Sequence, residues 1–228
     1  MYYDWTYFLV LIGAVLSMWA SARVKSNFSK YSTVYTLRGV AAWEAAEQIL
    51  QDAGIMDVKV ERVSGELTDH YDSSTKTLRL SDSVYGSTSV AAIGVAAHEC
   101  GHAIQDNESY VPLRLRHMLV PVANFGSKLS MPLFFLGLLF GLYDSLVPIG
   151  IFLFSFAVLF QIVTLPVEFN ASSRAVRILD DSGLVTAEEL PKVKKVLKAA
   201  AYTYLAAAAA SALQLLRLIL ISRSRRRD

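Results

Sequence analysis

The chemistry most open to reading lies in five consecutive residues, His98-Glu99-Cys100-Gly101-His102. On a helix, positions 98 and 102 stand about 40° apart around the axis and about 6 Å along it. Two imidazoles so placed reach one zinc ion, and the glutamate beside them can move a proton rather than bind the metal. Zinc brings the pKa of its water towards neutrality and polarises a scissile carbonyl, while the carboxylate carries the proton to a leaving amine. The competing reading is a histidine pair packed on a core helix. Against it stand Gly94, Val95, Ala96 and Ala97 before the pattern and Ala103 after it, which allow close helix packing around an open cleft.

A catalytic zinc needs a third protein ligand. Glu108 falls where a longer metal-binding pattern would place one. That pattern requires a glycine three residues after the second histidine, and Gln105 stands there. Glu168, in Pro166-Val167-Glu168-Phe169-Asn170-Ala171-Ser172, ends a long apolar run, where a lone carboxylate is costly unless paired or metal-bound. Two ligands on one side of a membrane must be separated by an even number of spans. The helical hairpin expected between residues 118 and 166 supplies two, which favours Glu168. Cys100 lies about 200° round the helix from His98, so it faces away from the metal as a buried packing residue.

The elements that must position these residues follow from composition. The chain has 228 residues, 54% of them hydrophobic and only 18% charged, with a net charge of +2 and one cysteine. Disorder, low-complexity polymers and an intrachain disulfide framework are excluded, and there is no global basic field for nucleic acid. The balance is that of a membrane protein with a polar portion. Trp5 to Ala22 is free of charge and reads as an N-terminal anchor within residues 1–22. Ala20-Ser21-Ala22 resembles a signal-peptidase site, but no positive charge precedes the run, so a retained anchor is expected. Leu129 to Val167 holds a single charge, Asp144, and reads as two helices joined near Tyr143-Asp144-Ser145, the second from about Leu146 to Leu165. Residues 167–198 read as a cytoplasmic helix carrying the third ligand. Residues 199–228 read as an Ala-rich transmembrane helix and basic tail, with Arg217 snorkelling towards Arg223, Arg225, Arg226 and Arg227.

The polar portion, residues 23–117, reads as α+β. Thr36 to Ala53 has helical spacing with Gly54 as its stop. Asp57 to Val63 alternates as a strand does, and His70 to Asp72 with Thr75 to Leu80 brackets a Ser73-Ser74 turn in a set of short antiparallel strands. Ser87 is expected to cap a helix from about Ser89 to Asn107. His70 and Tyr71 are candidates for stabilising an oxyanion or for packing a hairpin turn. Thr77 to Leu80, with Leu78, Arg79 and Leu80, is either an edge strand for an extended peptide or a core strand. Arg174 is either a substrate contact or a positive-inside anchor.

Several stretches together resemble the YugP-type membrane zinc metallopeptidases of bacteria: Asp69-His70-Tyr71-Asp72, Lys76-Thr77-Leu78-Arg79-Leu80-Ser81, Val84-Tyr85, Gly94 to Gln105 and Leu165 to Ser172. More distantly, the helix motif, the membrane hairpin and Glu168-x-x-Ala171 are similar to HtpX and the CAAX prenyl proteases. Those relatives carry Asp where this chain has Ser172. The resemblance implies a membrane α-helical bundle of about four transmembrane helices with a small α+β zincin-like catalytic domain. It implies a zinc-dependent peptidase of the gluzincin kind, with one Zn2+ held by His98, His102 and Glu168, and Glu99 as general base. Tyr71, Leu78, Arg79, Leu80 and Arg174 are the candidate substrate contacts. The partners expected are the lipid bilayer and protein or peptide substrates, membrane-associated ones among them, and no nucleic acid. The other classes weighed are a zinc-stabilised membrane adaptor or chaperone, which would need no base at Glu99, and an ion carrier, for which the spans hold too few ionisable residues.

Arg23, Lys25, Lys30, Arg114, Arg116, Arg174, Arg177, Lys192, Lys194, Lys195 and Lys198 flank the site side of the spans, which by the positive-inside rule is expected to be cytoplasmic; the resemblance implies that the membrane is a bacterial cell (inner) membrane. A full crossing by Ala199 to Ile221 then carries the terminal arginines outside. A reporter fused after Asp228 is expected to read as non-cytoplasmic; a cytoplasmic reading leaves three spans and a docked Ala-rich helix.

Overall fold

The computed structural model describes residues 5–225. Met1 to Asp4, which precede the first apolar run, and Arg226, Arg227 and Asp228 of the tail lie outside the described residues. In chain order the elements are α1 (Tyr7–Ser32), α2 (Ala42–Asp52), β1 (Lys59–Val63), β2 (His70–Asp72), β3 (Thr77–Ser81), α3 (Val90–Asn107), α4 (Val111–Leu139), α5 (Leu146–Asp181) and α6 (Leu190–Arg225). Four helices among the described residues are long and apolar enough to cross a membrane, α1, α4, α5 and α6. The stretch expected as a separate helix over 167–198 is instead the end of α5, a short connection and the start of α6. The chain divides into two compact units, one from the described parts of Met1–Ala20, Arg114–Pro166 and Thr203–Asp228, the other from Ser21–Leu113 and Val167–Tyr202.

The first unit is helical. α4 and α5 run antiparallel, and glycines let their backbones meet at successive levels. A Cβ on Gly126 would lie 2.6 Å from the Leu153 carbonyl oxygen, and one on Gly150 would lie 2.8 Å from that of Ser130. Such close approach is how helices associate where lipid leaves no hydrophobic difference to exploit. Phe134, Val147 and Leu218 form its buried cluster. Phe8, Leu11, Phe125, Phe152 and Ile162 are exposed, the apolar outer surface a bilayer would cover. α6 lies antiparallel to α1: Gly13 abuts Ala210, and Arg217 stacks over Tyr7 at 4.3 Å from the ring centroid. Arg217 Nε also donates to Thr6 Oγ1, just ahead of α1, at 3.3 Å.

The second unit is α+β. Its sheet has the order β1-β3-β2, with β1 parallel and β2 antiparallel to β3. This corrects the expectation that the strands are all antiparallel, and of the two readings of β3 it favours the core strand over the edge strand. The α2 helix starts at Ala42 rather than Thr36 because tertiary bonds claim the preceding backbone. Thr36 N donates to Thr88 O at 2.9 Å, Leu37 N donates to Glu189 Oε1 at 2.8 Å, and Gly39 has φ +65°. Glu44 accepts from the Ala41 N–H at 3.0 Å, starting the helix, and Gly54 at φ +71° follows its end. Ser89, not Ser87, caps α3 by accepting from Ala92 N at 3.2 Å, and Ser87 Oγ donates to the capping hydroxyl.

α3 is buried along almost its whole length, which its small residues permit. Gly94 faces Val193 of α6, and Gly101 meets the backbone of α5: a Cβ there would stand 2.7 Å from Ala171 O and 3.2 Å from Ala171 Cα. Neither contact partner at Ala171 is a flexible side chain, so Gly101→Ala is expected to force the helices apart and cost about 1–3 kcal/mol. Gly86→Ala, with nothing within 4 Å of the added carbon, should be near neutral. Thermal unfolding of both variants checks the contrast.

Candidate metal centre

Two helices crossing at Gly101 and Ala171 bring the site together. His98 and His102 flank Gly101 on α3, and Glu168 and Ser172 are close to Ala171 on α5. His98 Nε2 and His102 Nε2 lie 3.4 Å and 3.6 Å from the same atom, Glu168 Oε2. The imidazole rings are edge-on, with centroids 4.8 Å apart at 83°. All three side chains are largely shielded from solvent, Glu168 almost completely.

These separations test whether a metal fits. Charge-assisted hydrogen bonds run at about 2.7–2.9 Å, shorter than either contact. A tetrahedral zinc with ligands at about 2.0–2.1 Å holds its donors about 3.3 Å from one another. The spacing of Glu168 from both imidazoles is therefore that of ligands around an ion. One donor atom from each of the three residues lies within 4.8 Å of the others. Burial pushes the His102 imidazole towards neutrality, but Glu168 and Glu99 outweigh it and hold its pKa above the ordinary value. The carboxylates thus favour positive charge at this spot, and two imidazoles with one carboxylate are a borderline-soft set that suits zinc.

Both Nδ1 atoms are turned away from Glu168. Ser172 Oγ lies 3.1 Å from His98 Nδ1, so a hydroxyl is the partner of the outer nitrogen of this ring. Gln105 Oε1 lies 3.1 Å from His102 Nδ1. Glu99, next to His98 on α3, is 8% exposed. Cys100 faces away, as its helical angle requires: Sγ is buried 3.6 Å from Ala46 O, and burial pushes its thiol pKa up.

The substrate candidates fare differently. Leu78 and Leu80 are fully buried core residues of the central strand and cannot touch a peptide. Arg79 pairs with Glu61 at 3.6 Å and Asp72 at 3.5 Å. Tyr71 OH donates to Asp106 Oδ2 at 2.9 Å, and burial together with that carboxylate pushes its phenol pKa up. His70 is exposed, with Nδ1 2.8 Å from Thr68 O. Among the described residues, neither side chain belongs to the convergent donor group. Arg174 forms a 2.7 Å ion pair with Glu108, which explains both the lowered Glu108 pKa and why Glu108 is no metal ligand. Gln105 and Asn170 escaped sequence reasoning. A signal existed for Gln105: a polar residue three positions after His102, on the same side of the helix and following the apolar Ala103 and Ile104.

The chain belongs to the family described as "Putative neutral zinc metallopeptidase", which matches residues 6–223. Among curated proteins, "Putative membrane protease YugP" of Bacillus subtilis (strain 168) is 50% identical over 214 residues, 94% of this chain and 95% of that protein. No solved structure matches.

Replacing Glu168 by Gln keeps its size and removes the charged donor, and is expected to abolish stoichiometric zinc binding. Ser172→Ala should weaken binding about 10-fold, the lower end for a residue that orients a ligand. Chelator competition on the purified full-length protein measures both.

Proposed function

We propose that this protein is a membrane-integrated zinc endopeptidase of the gluzincin kind, with a zincin-like catalytic unit. The observation that carries the reading is the convergence of His98 Nε2, His102 Nε2 and Glu168 Oε2, with Glu99 beside them on the same helix. A zinc ion held there supplies a Lewis acid for the peptide carbonyl and acidifies water. Glu99 accepts a proton from the attacking water and returns it to the leaving amine, so one carboxylate acts first as base and then as acid. Ser172 and Gln105 keep the two imidazoles aimed at Glu168. The surrounding apolar core excludes bulk water and strengthens these polar interactions.

The strand that meets substrate is β2 rather than β3. Among the described residues β2 pairs on one side only, leaving the other for an extended peptide. The Tyr71–Asp106 bond ties β2 to α3 one turn beyond His102. Protein segments in extended conformation, including those of membrane-associated proteins, are the substrates this arrangement suits. The basic residues on the site side of the spans support a cytoplasmic active site in a bacterial inner membrane.

An adaptor with a structural zinc is the second reading. Structural sites close with a fourth protein ligand, and only three such residues converge among the described ones. Glu99→Gln separates the two functions. The variant is expected to keep its zinc while cleavage falls by about 100-fold or more. Comparing membrane proteomes of cells carrying the wild type and the variant reads the loss as accumulated uncleaved proteins, and unchanged cleavage sinks the mechanism.

A further inference from the structure

One buried amide joins the two helices that hold the site. Gln105 is wholly inaccessible to solvent, although it is neither a candidate ligand nor a base. Its Nε2 donates to Val167 O at 2.9 Å and to Asn170 Oδ1 at 2.9 Å, both on α5, and its Oε1 faces His102 Nδ1 at 3.1 Å.

The direction of every proton in this chain is set by groups with only one role. The Val167 carbonyl can only accept, so the amide nitrogen of Gln105 must face it. Arg174 can only donate, and its Nε reaches Asn170 Oδ1 at 2.7 Å, so that atom is an acceptor for Gln105 as well. Glu108 holds the far side of the Arg174 guanidinium at 2.7 Å. The amide oxygen of Gln105 is thereby turned to His102 and can only accept. His102 Nδ1 must carry a proton, which leaves the lone pair of the neutral ring on Nε2, the atom that faces Glu168.

We propose that Gln105 is the positioning residue of the metal centre, locking His102 in the Nδ1–H tautomer and holding α3 to α5 beside Glu168. It does so without adding a carboxylate, the usual partner of a ligand histidine. The negative charge offered to an ion held there would therefore come from Glu168 and Glu99 rather than from the partners of the imidazoles. The proposal rests on the zinc reading of His98, His102 and Glu168.

Two substitutions separate positioning from packing. Gln105→Met fills a similar volume and keeps the apolar contacts but offers His102 no comparable acceptor. Gln105→Glu restores an acceptor but sets a carboxylate against the Val167 carbonyl, which is worse for helix packing. Zinc affinity of the full-length protein in detergent, by chelator competition, is expected to fall about 10–100-fold in Gln105→Met and to recover most of that loss in Gln105→Glu. A purely structural role gives the reverse order, and either that order or a wild-type affinity in Gln105→Met overturns the proposal. Asn170→Ala leaves α3 untouched and serves if Gln105→Met does not fold: it should lower affinity several-fold at unchanged stoichiometry, and an unchanged affinity there counts against the amide chain. Cobalt substituted for zinc gives a spectroscopic check, since the visible band of a tetrahedral site should weaken or shift in Gln105→Met and persist in Gln105→Glu. A wild-type protein that binds no zinc refutes the metal reading itself, an outcome distinct from failure of the Gln105 proposal.

Discussion

The contact between Gly101 and the backbone of Ala171 is the constraint on which the metal centre depends. Each helix presents chemistry close to the crossing: His98 and His102 on α3, Glu168 and Ser172 on α5. Where the crossing lies sets which pairs meet. With no side chain at Gly101, the axes approach until His98 has Ser172 within hydrogen-bond distance and both Nε2 atoms face Glu168. A methyl group would already contact a carbonyl oxygen that cannot swing away. The alanines of α2 and α3 extend the same economy into the core, allowing Cys100 Sγ to reach the Ala46 carbonyl.

Electrostatics explains the rest of the donor set. A carboxylate buried as deeply as Glu168 is costly to desolvate unless a positive partner stands beside it. Two imidazoles surround its Oε2, at distances suited to sharing an ion. Their outer nitrogens are given a hydroxyl and an amide, so the attraction for a cation is concentrated on one side of the rings. Further out, full charges reappear as the Arg174–Glu108 pair, the more exposed end of the same hydrogen-bonded chain.

The long apolar helices and the site share segments of chain. α5 begins with an apolar run and carries Glu168 beyond Pro166, with no break in the helix between them. α6 starts with Val193 against Gly94 of α3 and with Lys194, Lys195 and Lys198 exposed, and continues into its alanine-rich, apolar length.

Much of the site was legible because its signals are local. The helical period puts His98 and His102 on one face whatever surrounds them, and the length of an apolar run bounds a membrane helix, so the motif helix, the hairpin near Asp144 and the extent of the α6 apolar run could be read directly. Glu168 needed one longer-range argument, the parity of spans, and that argument led to the residue that meets both imidazoles. The order of the strands was not legible: alternation marks a strand but carries no information about its neighbours, and the Ser73-Ser74 turn says nothing of where β1 pairs. Only the tertiary structure put β3 in the centre, burying Leu78 and Leu80 and leaving β2 at an edge. Thr36 to Ala41 looked helical because periodicity ignores the bonds that Thr88 and Glu189 offer its backbone. The partnership of Gln105 with Asn170 and Val167, 62 to 65 positions apart in sequence, likewise exists only once α3 and α5 have crossed. Spacing in the chain determines which atoms could bind a metal; the crossing of two helices decides which of them meet.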